Sequence, residues 1–485
     1  MENRREWLKK VPISLVAGLA IGSVAHLIRS SQAQENPATE REESYIIFID
    51  SEDGNKIKAR NGITGKIDYS DADAATVIQN AIDALTNGGK IFVKQGIYSI
   101  TQPIAITKNN FYFEGEGRST TLQGAAGSVD VLTLTSPRGS SELENIGIEN
   151  LTVCGYSRTD SGNLITSTQS AGTSNRVARL CLRGLKLVNV ASGKSAIYLV
   201  NPVNVYIEDS MITGLDSNSC GITAIADGYA SGHICLVGNY FHFGGSYNGA
   251  TMLHFSTASG SSLRRVTAVA NSFWMGSGAT LGTAVLIDGC SSQGYRFISN
   301  SFEEFYKTFN IQPSSGYLIR DVRIENNMIW YRTSLAESGQ SMIYTGTRTK
   351  GIQIVGNYFE AVPGSGATGI NDDNGAEPNN KIERNEFRFV DSPIQPTSVF
   401  TKMRGNIGYV TENAGTATFS GNGAATFTIA HGLASTPRIA LVTAGSSDAR
   451  GDFYVTYDAS NITVTYGTPP PTGTNNVVLL WYAEM

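Results

Sequence analysis

One short pattern limits what this chain can fold into: an apolar residue, two variable positions, Asn, one variable position, a second apolar residue. It reads Leu236-x-x-Asn239-x-Phe241, Ala268-x-x-Asn271-x-Phe273, Phe297-x-x-Asn300-x-Phe302, Ile324-x-x-Asn327-x-Ile329, Ile354-x-x-Asn357-x-Phe359 and Ile382-x-x-Asn385-x-Phe387. Weaker copies put Leu151, Leu185, Ser210 and Asn406 at the anchor position. Successive anchors lie 21 to 34 residues apart. A period in this range belongs to solenoids, whose repeats bury their apolar faces against one another.

Inside each repeat the residues favour strands. Val322-Arg323-Ile324-Glu325 and Ala284-Val285-Leu286-Ile287 are too short for helices, rich in β-branched residues, and end at Gly, Asn or Ser. Between the apolar residue and the anchor the alternation slips by one, which marks a sharp bend. Asn tolerates the left-handed backbone such a bend needs, and its amide can bond the Asn above and below. The pattern predicts three short strands per coil from about Lys90 to Val410, with an ordinary β-sandwich as the alternative.

An open solenoid end exposes strand edges and core, so a cap is required. Asp73 followed by Val77, Ile78, Ala81, Ile82 and Leu85 reads as an amphipathic helix with its N-cap, ended by Asn87-Gly88-Gly89. Upstream, Tyr45 to Tyr69 reads as short strands joined at Asp53-Gly54 and Asn61-Gly62. After Asn413-Ala414-Gly415 the repeat gives way to alternating strands, enough for a small sandwich. The expected fold class is all-β: a right-handed three-strand-per-coil parallel β-helix with an N-terminal capping helix and a small C-terminal β-sandwich.

Four segments follow. Residues 1–33 carry Arg4, Arg5, Lys9 and Lys10, then an apolar run from Val11 to Ile28, then Ser31-Gln32-Ala33. This is an export signal, twin-arginine-like through Asn3-Arg4-Arg5-Glu6-Trp7-Leu8-Lys9, or, if it is retained, an anchor. Residues 34–69 form a linker and short β-hairpin segment, 70–410 the capping helix plus parallel β-helix, and 411–485 the C-terminal module. Either reading of the leader places the rest outside the cytoplasm, with membrane contact only through an uncleaved N-terminus.

Charged residues make up 16% of the chain, against about 25% ordinarily, and the 52 glycines suit a chain that bends every nine or so residues. A formal net charge of -5 excludes a general nucleic-acid partner, which needs a basic surface. Five cysteines with no CxxC spacing suggest neither a zinc site nor a disulfide framework, but small apolar residues buried in strands.

Asp73-Ala74-Ala75-Thr76-Val77-Ile78-Gln79-Asn80-Ala81-Ile82, then Gly88-Gly89-Lys90-Ile91-Phe92-Val93-Lys94-Gln95-Gly96-Ile97-Tyr98, then Glu114-Gly115-Glu116-Gly117 resemble the start of the pectate-lyase superfamily, in its rhamnogalacturonase and epimerase-like branch with phage tailspikes. His431-Gly432-Leu433 and Trp481-Tyr482-Ala483 resemble small modules at tail-fibre tips. The resemblance implies a polysaccharide partner, with a lyase or glycoside hydrolase as candidate enzyme. The alternative is a non-catalytic adhesin or fibre-like protein, with a homotrimer as candidate assembly. It fixes no reaction.

Stacked coils allow outward positions to be read as columns about 4.8 Å apart. The strand after the Asn bend gives His242, Trp274, Glu303, Trp330, Glu360 and Arg388, rings and carboxylates that suit a sugar chain. The bland alternative is that these rings pack against lateral loops. The following strand, the face the superfamily's enzymes use, gives Tyr198, Thr223, His254, Leu286, Asn310, Tyr344 and Asn371, with Asp288 and Asp373 two residues further on in their coils. His254, Asp288, Asp373, Glu303 and Glu360 are the catalytic candidates; Trp274, Trp330, His242, Tyr344, Asn310 and Arg388 are the binding candidates. The superfamily's polygalacturonase-like set needs Gly-His-Gly and Arg-Ile-Lys, and both are missing here. Asp372-Asp373, in the loop Asn371-Asp372-Asp373-Asn374-Gly375, is the one candidate for calcium; no cofactor is otherwise required.

Overall fold

The computed structural model describes residues 43–136, 142–167, 175–243, 249–276, 282–331, 341–373, 380–396 and 401–485. The export or anchor segment 1–33 and the start of the linker lie outside the described residues. Three parallel sheets enclose one elongated core. The first sheet holds the strand before each Asn bend, such as Ala230–Val237, Ser262–Val269, Ser292–Ile298 and Ile319–Glu325. The bend leads to a three-residue strand of the second sheet, such as Tyr240–His242, Ser272–Trp274, Ser301–Glu303 and Met328–Trp330. The third sheet follows with Thr251–Thr257, Thr283–Gly289, Lys307–Pro313 and Ser341–Thr345. Strands pair in parallel with their counterparts one coil away, so the expected three-strand-per-coil parallel β-helix is the observed one.

The Asn anchors form a continuous buried ladder. From Asn239 to Asn385 each side-chain amide donates to the Oδ1 of the next anchor, ending on Asn406, at 3.0 to 3.1 Å. Each Oδ1 also accepts the backbone N–H of the anchor before it. The weaker copies extend the line, with Ser210 N donating to Asn239 and Leu185 N to Ser210 Oγ. One expectation is corrected. The left-handed residue at the bend is not the anchor but its predecessor: Gly238 (φ 66), Ala270 (φ 56), Ser299 (φ 55), Asn326 (φ 55), Gly356 (φ 66) and Arg384 (φ 54). The anchor's side chain turns inward to the ladder, so the backbone reversal falls on the neighbour.

Behind the ladder, the inward residue of the second sheet stacks at coil spacing. Phe241 and Phe273 rings are 4.6 Å apart and Phe273 and Phe302 4.7 Å, each pair nearly parallel. A second bend had no counterpart in the expected pattern. Within the first-sheet strands, Asn145, Arg179, Asn204, His233, Arg265, Gly294 and Asp321 all take positive φ, so these seven coils are kinked at the same place. The register skips these residues together: Glu144 pairs with Ala178 and Ile146 with Leu180.

The capping helix runs Ala74–Asp83, with Asp73 accepting from Thr76 N as N-cap. It buries Val77, Ile78, Ala81 and Ile82 and stops before the expected Asn87-Gly88-Gly89, where the chain turns into the first coil. Gly88 (φ 92) is required there, because the carbonyls of Asn109 and Asn110 occupy the place of a Cβ. Gln79 answers the edge problem directly. Its amide accepts from Ala105 N at 2.7 Å and donates to Ala105 O at 3.2 Å, covering the first strand of the third sheet. Strands Tyr45–Asp50, Lys56–Asn61 and Ile67–Asp71 continue the first sheet as an antiparallel meander. At the other end, two three-stranded antiparallel sheets enclose a separate small core around Ile462, Val464, Val477 and Leu479, the expected sandwich.

Candidate functional site

Both outward columns have the expected register. On the second sheet His242 pairs with Trp274, then Glu303, Trp330, Glu360 and Arg388 follow in order. On the third sheet Tyr198, Thr223, His254, Leu286, Asn310, Tyr344 and Asn371 follow in order. The five catalytic candidates do not form one site: Glu303 and Glu360 stand on the second sheet, and His254, Asp288 and Asp373 on the third.

The third sheet brings His254 and Asp288 together, with Nε2 at 3.1 Å from each carboxylate oxygen. Burial disfavours the imidazolium, but the bonds to Asp288 and Cys220 outweigh it and raise the His254 pKa to about 9. Burial likewise pushes the Asp288 carboxyl up, and the bonds from His254 and Ser256 hold it below its ordinary value. The two shifts agree on an ion pair at neutral pH. His254 is then a proton donor and a charged hydrogen-bond donor; the general-base role would require it neutral.

His254 faces a pocket of about 300 Å³ lined also by Lys194, Tyr198, Cys220, Thr223, Asn163 and Asn218. Burial, and then the charge of Asp227, raise the Tyr198 phenol, so it stays a donor. Lys194, Cys220 and the two asparagines escaped the column reading. Cys220 had a signal: it occupies the position of Ser195 and Thr251 in the aligned strands, three residues before Tyr198 and His254.

Beyond Leu286 the column forms a second cluster. Tyr344 Oη donates to Asp373 at 3.2 Å, and the Lys307 ammonium lies 5.3 Å from the centre of the Tyr344 ring. Burial lowers the Lys307 pKa and, with the Asp373 charge, raises that of Tyr344. Asn310 precedes Tyr344 in the column, its buried Oδ1 without a hydrogen-bond partner among the described residues.

At the calcium candidate the two carboxylates part. Asp372 is buried and turned inward, accepting from Thr345 Oγ1 at 2.5 Å, Asn380 Nδ2 at 3.2 Å and Thr401 Oγ1, whereas Asp373 faces out. The two neighbouring carboxylates thus point to opposite sides of the chain. No group of three or more metal-binding side chains occurs among the described residues, and Asn374 and Gly375 lie outside them.

On the second sheet the rings meet one another first. His242 stacks on Trp274 with centroids 4.4 Å apart and 12° between planes. That covers one face of the indole and leaves the other directed toward Glu303. Burial, then Arg158, lower the His242 pKa. Tyr358 Oη donates to Glu360 at 2.7 Å, and Arg388 lies 5.0 Å from the Phe389 ring centre.

These coils define a parallel β-helix, established by the strand pairings of this chain. No protein-family profile matches the chain, and no curated protein matches it. Among solved structures it is similar to the tailspike protein of E. coli bacteriophage HK620 in complex with a pentasaccharide, at 13% identity and TM-score 0.47, covering 85% of this chain and 90% of that one. It is also similar to the A-modules of two Azotobacter vinelandii mannuronan C-5 epimerases. AlgE6 matches at 15% identity and TM-score 0.38 over 69% of this chain and 95% of that one. AlgE4 matches at 16% and 0.42 over 69% and 96%.

Proposed function

We propose that this is an exported polysaccharide-binding β-helix protein whose third-sheet face holds the sugar chain. The observation that carries the reading is the pocket at His254, where an imidazolium, Lys194, the Tyr198 phenol and two asparagine amides converge on one hollow. Such a set of fixed donors suits hydroxyl and carboxylate groups. The Tyr344, Asn310 and Lys307 cluster continues the same face along the solenoid, so an extended chain meets both. The second-sheet column, with Trp274 and Trp330, is a further contact.

Cleavage is the finer part of the proposal, with His254 as acid. Hydrolysis by a carboxylate pair is poorly served here, because Asp288 is committed to His254 and no carboxylate lines the pocket. Incubation with neutral and uronic polysaccharides, with and without calcium, separates the outcomes. New reducing ends mark hydrolysis, and an ultraviolet-absorbing unsaturated product marks elimination. Neither product with retained binding leaves a lectin-like protein, and no binding across the panel overturns the proposal. Trp274→Ala and Trp330→Ala are expected to weaken retention, and unchanged affinity in both removes the second-sheet contact.

A second reading, a fibre-like homotrimer, is favoured by the outer face of the C-terminal sandwich. Ile439, Leu441 and Leu480 lie on one sheet face and are 47%, 62% and 44% exposed. Light scattering on the intact protein decides it: a monomeric mass removes the trimer.

A further inference from the structure

The kink in the first sheet creates a surface that the third-sheet site does not use. A groove of about 640 Å³ follows it on the outside of the solenoid, passing His233, Arg265, Gly294 and Asp321 at the kink itself. Arg264, Arg296 and Arg323 also line it, against one lining carboxylate, Asp321. Register aligns these charges. Arg264 pairs with Gln293 and Gln293 with Arg320, while Thr267, Arg296 and Arg323 form the neighbouring column. Arg296 and Arg323 therefore sit one coil apart and Arg264 and Arg320 two, about 5 and 10 Å at the backbone. The second column runs on through Gln353 to Lys381 and Lys402.

Like charges in register on neighbouring strands are destabilising. Earlier coils of the same sheet neutralise theirs, with Arg176 on Glu142 at 2.7 Å and Arg183 on Glu149 at 2.6 Å. Among the described residues, Arg323 is the one groove arginine in an ion pair, with Glu325 at 3.9 Å, and Arg265 bonds His233 instead. Arg264, Arg296 and Arg320 are exposed and have no carboxylate partner among the described residues. An unneutralised basic stripe on a chain of net charge -5 is a local feature that requires a ligand or counter-ions.

We infer that this groove binds an acidic polysaccharide lying along the solenoid axis, its carboxylate or sulfate groups taken by successive guanidinium groups. The guanidinium fork matches both anions. Gln293, Gln353 and Thr267 supply neutral donors and acceptors for the hydroxyls between charges. Single-stranded nucleic acid is the poorer fit, since it needs aromatic platforms for its bases. Tyr206 and His233 are the groove's described rings, and His233 is held by Arg265.

The test measures affinity and its salt dependence for the full chain with polygalacturonate, heparin, dextran and oligo-dT. Polygalacturonate or heparin is expected to bind and dextran not; whichever acid binds more tightly identifies the anionic group. Arg296→Gln/Arg323→Gln, both exposed, is expected to weaken that binding at least tenfold. It should also reduce the slope of log affinity against log salt by about two. Arg264→Gln/Arg320→Gln repeats the test on the other column should the first pair fail to fold. Asp288→Asn perturbs the third-sheet pocket alone, and the part of the salt slope that the arginine variants remove should persist in it. Unchanged affinity in the arginine variants, loss of the acidic-chain slope in Asp288→Asn, or tighter binding of oligo-dT overturns the proposal.

Discussion

Replacing Asn300 by Ala tests whether the amide ladder holds the coils together. The Asn300 side chain accepts from Asn271 N at 2.9 Å and Asn271 Nδ2 at 3.0 Å, and donates to Ala268 O at 2.9 Å and Asn327 Oδ1 at 3.0 Å. Asn271 Nδ2 keeps its bonds to the carbonyls of Leu236 and Val269, and Asn327 Oδ1 keeps the Asn300 N–H. The Asn271 N–H loses its acceptor inside the core. An orphaned buried N–H costs about 1–3 kcal/mol and each of the other three lost bonds about 1, so the substitution is expected to cost about 4–6 kcal/mol. Solenoids report such losses locally, so hydrogen exchange across the neighbouring coils should accompany urea denaturation. Asn300→Asp sharpens the test. Its second oxygen would face two acceptors, Ala268 O and Asn327 Oδ1, so the carboxyl must stay protonated. A folded pKa raised in this way gives stability that is present at low pH and lost as pH rises through it. A cost for Asn300→Ala below about 1 kcal/mol, the size of an ordinary surface change, would refute the ladder as the source of coil stability.

Two further outcomes follow from the geometry. Asp288→Asn removes the anion that holds the His254 proton while burial remains, so an NMR titration should find the His254 pKa lowered from about 9. In the native chain the His254 contribution to stability is full below about 6.5 and lost as pH rises through about 9. That of Asp288 is present above the ordinary 3.8 and lost as pH falls through its lowered value. Ala270→Gly relieves a left-handed alanine at φ 56 and should stabilise the chain by about 0.5–1 kcal/mol in urea denaturation; destabilisation would mean the methyl group packs usefully there.

How much of this was legible in the sequence depends on which period carried the signal. Coil identity and column register were legible because the Asn anchor fixes phase once per repeat and strand side chains alternate strictly thereafter. That is why His254 and Asp288 were placed on adjacent coils before any geometry was known. The kink in the first sheet was hidden for the opposite reason. Its left-handed positions are filled by Arg179, His233 and Arg265 as well as by Asn and Gly, and these residues do not announce a positive φ. At the Asn bend the signal lies one position before the anchor: Gly184, Gly238, Gly356 and Gly405 all precede it, and glycine there marks the reversal. For Asp372 and Asp373, alternation separated the two carboxylates, but only packing against Thr345 and Thr401 determines which one is buried.

The low charge content has the same root as the columns. A parallel coil repeats each outward position about every 4.8 Å, so any charge is brought against its counterpart in the next coil and must be matched or spaced by a neutral residue. The chain does both: Glu142 and Glu149 answer Arg176 and Arg183, and Gln293 separates Arg264 from Arg320. Where that rule operates, charge serves the fold. It operates on the third sheet too, since His254 is matched by Asp288, yet there the pair opens onto a hollow lined by donors. It is relaxed in the first-sheet groove, where Arg296 and Arg323 stand in adjacent coils and, among the described residues, the one ion pair between them and a carboxylate is Arg323 with Glu325 at 3.9 Å. In a solenoid, an unmatched column is therefore stronger evidence of a ligand than the same residues scattered over a globular surface, because the coil spacing makes the repulsion unavoidable.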